Sequence, residues 1–224
     1  GPLTIAHGRQ AALGDSLVRI LRAAGWDASS EYYNNDIGVQ IKTLGLSLYE
    51  RCREAAGLPS NFPENGYKGD YVKEMAVAFL AEKSKGGASQ NPHAWLEDRE
   101  TAEKACRLYA RETIMATILK DLADFDVRFD TIFSQEKLEA SGQVEATLAE
   151  LTQRGEIFEG EGALWLQSTK YGDDKDRVVK KSDGTFTYLM PDIAYHRDKF
   201  RRGYDALVDI LGPDHHGYIA RIKA

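Results

Sequence analysis

The sequence predicts an α/β fold in which helices flank an open parallel sheet interrupted by a helical insertion. Three observations carry that expectation: helix-spaced apolar residues alternate with short strand-like runs at both ends, the middle is helical throughout, and turn residues mark each change of period. With 224 residues, 42% of them hydrophobic and 29% charged, the chain can build one sizeable core or two small ones.

The first helix is carried by Leu13, Leu17, Ile20, Leu21 and Ala24, with Arg9, Asp15, Arg19 and Arg22 on the other side and Gly25 as a left-handed stop. Residues 26–33 read as a strand or its approach. Asn34, Asn35 and Asp36 then offer capping side chains to a second helix, which buries Ile37, Ile41, Leu44, Leu48, Cys52 and Ala55 before Gly57 and Pro59 stop it. No strand precedes the first helix, so the sheet reads as incomplete at its start. A long connection leads to helices over residues 71 to about 82 and about 96 to 122, on either side of a Gly- and Ser-containing stretch at 83–89. The expected division is 1–57 as the first half of the α/β core, 58–123 as an all-helical insertion, and 124–224 as the second half, again incomplete.

After the insertion Phe125, Val127 and Phe129 alternate with Asp124, Asp126, Arg128 and Asp130, the two-residue repeat of a half-buried strand. A helix through Val144, Leu148 and Leu151 ends at Gly155, and residues 157–158 pair with 163–166 across a Gly-containing turn. Residues 177–180 and 185–189 flank Asp183-Gly184, a dipeptide suited to positive φ in a hairpin. Pro191 suits a first helical position, the helix it opens runs to about Arg202, and residues 206–211 read as an apolar strand before a last helix.

A net charge of −6 argues against a generic nucleic-acid binder, because affinity for phosphate backbones comes from clustered Lys and Arg. Local basic runs at 197–202 and Lys180-Lys181 read as a possible basic face or as solvated surface. No apolar run is long enough to span a membrane, and the start lacks a leader pattern, which together predict a cytosolic protein without membrane association. Cys52 and Cys106 have no metal-type spacing and read as reduced, buried thiols.

Three places hold candidate chemistry. At Thr4 to Arg9 a Gly8-containing segment opens a helix, where free N–H groups and the positive dipole end favour an anion, and His7 adds a donor; a capping or core histidine is the plain alternative. Asp214-His215-His216-Gly217 follows a strand-like run, where ligands collect in open parallel sheets, so His7 and His215 or His216 are expected to face one crevice with a nucleotide between them. A polar surface turn would look the same. Tyr188 and Asp192, four apart at a strand-to-helix junction, suit a cationic group or, for Asp192, a dipole-favoured helix acid. No metal-ligand set is expected.

Taken in order, these segments resemble one family. The run from Gly1 to Asp15 resembles the class I aminoacyl-tRNA synthetase signature as arginyl-tRNA synthetases carry it. The runs Glu31 to Gln40, Ser182 to Tyr195 and Gly212 to Tyr218 resemble further blocks of the same enzymes. The resemblance implies a Rossmann-like nucleotide-binding sheet and ATP-dependent activation of L-arginine, with Mg²⁺ accompanying ATP, then transfer to tRNA(Arg). It implies catalytic roles for His7 and Thr4, an ATP site of Thr4, His7, Gly8, Asp214, His215 and His216, and an arginine site of Tyr188, Asp192 and Asn35. A monomer is expected.

Two departures stand out: the signature's first histidine is Thr4 and its glycine is Ala6. Threonine is shorter and uncharged, and losing a transition-state donor costs about 2.7–4 kcal/mol. The family's first strand, its Lys-rich second signature and its anticodon-binding domain have no match within these residues, so this polypeptide alone is expected not to charge tRNA. A non-catalytic synthetase-like paralogue or fragment that binds nucleotide or tRNA is the alternative. A phosphoesterase built on Asp214-His215-His216 would need further aspartates, and another nucleotidyltransferase would not need Tyr188 and Asp192.

Overall fold

The structure, a computed structural model, describes residues 1–85, 93–212 and 218–224. The chain divides into two compact units, one of residues 1–11 and 35–129 and one of residues 12–34 and 130–224. Helix α1 (Ile5–Ala23) has residues in both. Its expected stop is present: Gly25 has φ 90°, its N–H donates to Arg22 O, and the Trp26 N–H reaches back to Leu21 O. Its apolar stripe is only partly covered among the described residues: Leu17 and Leu21 are half-buried, while Leu13 and Ile20 are exposed.

The first unit is built on α2 (Val39–Ala55), α3 (Asp70–Ser84) and α4 (Arg99–Asp124). Leu44, Leu48 and Cys52 of α2 are buried, as are Val72, Met75 and Phe79 of α3 and Ala102, Cys106, Ala110 and Ile114 of α4. Phe79 stacks on Tyr109 at 4.1 Å and meets the edge of Trp95 at 5.3 Å. The predicted cap by Asn34, Asn35 or Asp36 is corrected: Gly38, at φ 89°, stands at the N-cap of α2 without any side-chain cap. Ala55 is exposed rather than buried. Asp98 does cap α4, accepting from the Thr101 N–H.

The strand expected at 125–130 does not form. Helix α4 continues to Asp124, Asp126 takes the left-handed conformation at φ 61°, and the Val127 N–H donates back to Leu122 O. This is a helix C-terminal wrap, and it buries Val127 while exposing Phe125, two residues that a half-buried strand would place on one face.

In the second unit β1 (Glu31–Asn34) runs parallel to β2 (Thr131–Ser134), with Glu31 opposite Thr131 and Asn34 opposite Ser134. The strand therefore starts later than the expected 26–33, and Trp26 is exposed. Helices α5 (Gln135–Ala140), α6 (Gln143–Gln153) and α7 (Leu189–Arg201) pack with an antiparallel meander of β3 (Ile157–Gly160), β4 (Ala163–Leu166) and β5 (Arg177–Lys180). Leu138, Val144, Leu166, Val179, Leu189, Met190 and Ala194 form the core between them. A short α8 (Ile219–Lys223) closes the described chain.

Three further expectations need correction. The Asp183-Gly184 turn exists, with Gly184 at φ 83° and the Lys181 N–H donating to Thr185 O, but its second arm forms no continuous strand: it meets β5 at the Lys180–Phe186 bridge and through the Thr187 N–H, which donates to Val179 O. Pro191 is the third residue of α7 rather than the first, still within the turn whose N–H groups lack helical acceptors. Residues 206–211 form no strand: Val208 and Leu211 are exposed, and the segment is tied instead by Asp209 to His196 and Lys199. No helix among the described residues is long and apolar enough to cross a membrane. Both cysteines are free and buried, as expected.

Candidate active site

Thr4 immediately precedes α1, and its carbonyl accepts from the Gly8 N–H at 3.1 Å. Its own N–H donates to His7 Nδ1 at 3.0 Å, and its hydroxyl lies 2.8 Å from the same nitrogen. A backbone N–H can only donate, so Nδ1 is the accepting nitrogen and the proton of the neutral ring sits on Nε2. The arrangement is half of a capping box, with histidine in the place usually taken by Glu accepting from the backbone N–H of the residue before the helix. It leaves His7 exposed with an Nε2–H to offer, beside the helix's first N–H groups, which lack intrahelical acceptors. A Cβ added at Gly8 would meet nothing within 4 Å, so a ligand has room to approach this turn. The donor set fits a phosphate group.

Tyr188 and Asp192 stand one helical turn apart at the start of α7, where the Asp192 N–H points to Tyr188 O at 3.4 Å. Tyr188 is 78% exposed. The Asp192 carboxylate accepts a hydrogen bond from the Tyr218 hydroxyl at 2.5 Å. Burial, followed by the nearby Asp192 charge, holds the Tyr218 phenol protonated well above the ordinary tyrosine range. Behind Asp192, its carbonyl oxygen lies 2.8 Å from His196 Nδ1, while His196 Nε2 meets Asp209 at 2.9 Å and Lys199 meets Asp209 at 2.5 Å. The His196 hydrogen bond lowers Asp209 to about 2 against the opposing effect of burial, with Lys199 assisting.

A second network fixes α7 to β1. Glu31 accepts from the Tyr195 hydroxyl at 2.6 Å and from Arg202 at 2.6 and 2.9 Å. Burial opposes ionisation of Glu31, yet the Arg202 and Tyr195 hydrogen bonds outweigh it and lower its pKa. Tyr195 also packs on Tyr33 and Phe133.

Of the site residues expected from sequence, Thr4 and His7 therefore touch, and Tyr188 adjoins Asp192. Asn35 is exposed just after β1. Asp214, His215 and His216 lie outside the described residues, and with them the expected crevice. Sequence reasoning missed Tyr218, which is 26 residues from Asp192 and carries no spacing signal; only its position at the end of the Gly212 to Tyr218 block marked it.

The catalytic-domain model of the class I tRNA synthetases (R) matches residues 1–222. An arginine–tRNA ligase from Nitratidesulfovibrio vulgaris strain Hildenborough is 50% identical over 224 residues, covering 100% of this chain and 39% of its own length. One from Cupriavidus necator is 44% identical over 227 residues, covering 100% of this chain and 38% of its own. The chain thus spans about two fifths of the length of the curated relatives it matches. A Campylobacter jejuni crystal structure, solved as a candidate arginyl-tRNA synthetase, superposes with a TM-score of 0.87 at 36% identity over 99% of this chain and 47% of that one. Thermus thermophilus arginyl-tRNA synthetase matches at a TM-score of 0.56 and 24% identity over 87% of this chain and 33% of that one, a likeness of fold alone.

Proposed function

This chain belongs to the class I tRNA synthetases (R) through their catalytic domain, and from that premise we propose that it carries part of the site that activates L-arginine with ATP and transfers it to tRNA(Arg). The observation that carries the reading is the match of residues 1–222 to the arginine-specific catalytic domain. In this reading His7 donates from Nε2 to a phosphate oxygen of ATP at the start of α1, with Gly8 leaving room for it, and Asp214, His215 and His216 complete the nucleotide site. Thr4 acts on His7 rather than directly on the nucleotide, since its hydroxyl is already engaged with Nδ1. Asp192, Tyr188 and Asn35 take the substrate guanidinium, for which a carboxylate is the natural partner.

The substrate carboxylate attacks the α-phosphorus, a P–O bond forms, and pyrophosphate leaves. The protein's share is positioning and stabilisation of developing charge. In this reading Mg²⁺ accompanies the ATP phosphates. The protein is proposed to act in the cytoplasm as a monomer. A second reading, a synthetase-like segment that binds nucleotide or tRNA without chemistry, is favoured by Thr4 and Ala6 in the signature.

Arginine-dependent ATP–pyrophosphate exchange separates these readings. A longer protein containing these residues is expected to exchange with arginine alone among the amino acids, and the isolated 224 residues are expected to stay at background. Thr4→His in the longer protein is expected to raise exchange by about tenfold or more. Exchange driven equally by other amino acids would overturn the arginine assignment, and none from the longer protein in any form would favour the non-catalytic reading.

A further inference from the structure

Tyr218 is the residue the proposed arginine site had not included. Its hydroxyl donates to Asp192 Oδ2 at 2.5 Å, bringing the start of α8 to the first turn of α7. The ring is half-buried and packs against the core cluster that includes Leu189, Met190 and Ala194, while the Arg221 guanidinium lies 5.0 Å from its centroid. The phenol is therefore a fixed point. An aspartate carboxylate, by contrast, turns about a broad, roughly two-fold torsion and adopts no single plane unless something holds it.

Resting on the arginine-site reading above, we infer that Tyr218 is a positioning residue that sets the plane of the Asp192 carboxylate and so favours a guanidinium over an ammonium ion. A guanidinium is planar and makes two parallel hydrogen bonds only with a carboxylate turned into its own plane. A lysine ammonium is a compact point charge with three rotatable donors, and it is nearly indifferent to that rotation. The phenol donates to one carboxylate oxygen, Asp192 Oδ2, and removes no charge from the group. The hydrogen bond thus acts on geometry while the negative charge that attracts either cation is retained. Tyr188, one turn earlier at the N-cap of α7, is exposed.

The experiment titrates the 224-residue chain calorimetrically with L-arginine and, separately, with L-lysine, alongside Tyr218→Phe and Asp192→Asn, each checked by thermal melting. Tyr218→Phe is expected to weaken L-arginine binding about fivefold to tenfold while leaving L-lysine within about twofold. Asp192→Asn is expected to weaken both. Tyr218→Phe that weakens both equally, or neither, while Asp192→Asn weakens both, overturns the role of Tyr218 and leaves the site reading standing. Asp192→Asn without effect, or an unaltered chain that takes up no L-arginine, overturns the site reading and the inference with it. Should Tyr218→Phe melt below the assay temperature, the ¹³Cζ resonance of Tyr218 in the unaltered chain decides. It is expected to move further at saturation with L-arginine than with L-lysine, and a resonance that responds equally to both, or not at all to L-arginine, overturns the inference.

Discussion

Arg177 illustrates how much of a loop a single side chain can tie together. Its guanidinium donates to both oxygens of Asp173, each at 2.7 Å, and also contacts Asp174. The Asp173 side chain is 2% exposed and that of Arg177 13%, yet what covers them is largely their own loop, where Ser168 and Thr169 bond Lys175 O and Asp176. Arg177 holds the Asp173 carboxyl far below the usual range. Removing one member of a buried pair strands the other charge, and a pair this near the surface sits at or below the lower end of that penalty. Arg177→Ala is therefore expected to lower unfolding free energy by about 2–3 kcal/mol, read by urea denaturation, with Arg177→Lys recovering only part because it cannot fork.

At the scale of elements, the close approach of α2 and α4 depends on Gly45. A Cβ there would stand 2.6 Å from Arg107 Cβ and 2.7 Å from its Cα, a contact that only backbone movement relieves. Alanine is the better helix former by about 1 kcal/mol, but overpacking costs about 1–3 kcal/mol and the clash is with main chain. Gly45→Ala is expected to destabilise the first unit by about 1–2 kcal/mol, seen as a lower melting temperature. Helix periods of this kind were legible: the sequence marked α2, α3 and α4 within a few residues, because repeated apolar side chains at i, i+3 and i+4 report a buried face directly. Strands were harder. Residues 125–130 alternate as a strand does, yet the deciding event was Asp126 turning left-handed after α4.

Across the molecule, several carboxylates have their pKa lowered: Glu31 by Arg202 and Tyr195, Asp173 by Arg177, and Asp209, lowered to about 2 from an ordinary 3.8, by His196 and Lys199. A folded-state pKa below the unfolded one means that the unfolded chain binds more protons over the interval between them. The stability these groups contribute is thus complete above about pH 5 and lost as pH falls through 4 toward 2. Asp209 is 36% exposed, so after solvent screening its share is about 1–2 kcal/mol. Urea midpoints are expected to hold between pH 7 and 5 and fall steeply between pH 4 and 2.5, with a shallower fall in Asp209→Asn.

Composition, helical period and the order of short motifs determined by themselves the α/β class, the helical middle and the family, since all three are properties of neighbours along the chain. Thr4 and His7, three apart at a helix start, were also within reach of local reasoning. Only tertiary structure decided which apolar runs became strands, because a strand needs a partner at hydrogen-bonding distance, and residues 206–211 have none among the described residues. It alone brought Tyr218 to Asp192 and Arg202 to Glu31, across 26 and 171 residues. A hydrogen bond depends on distance in space, and nothing in the linear spacing of such residues records it.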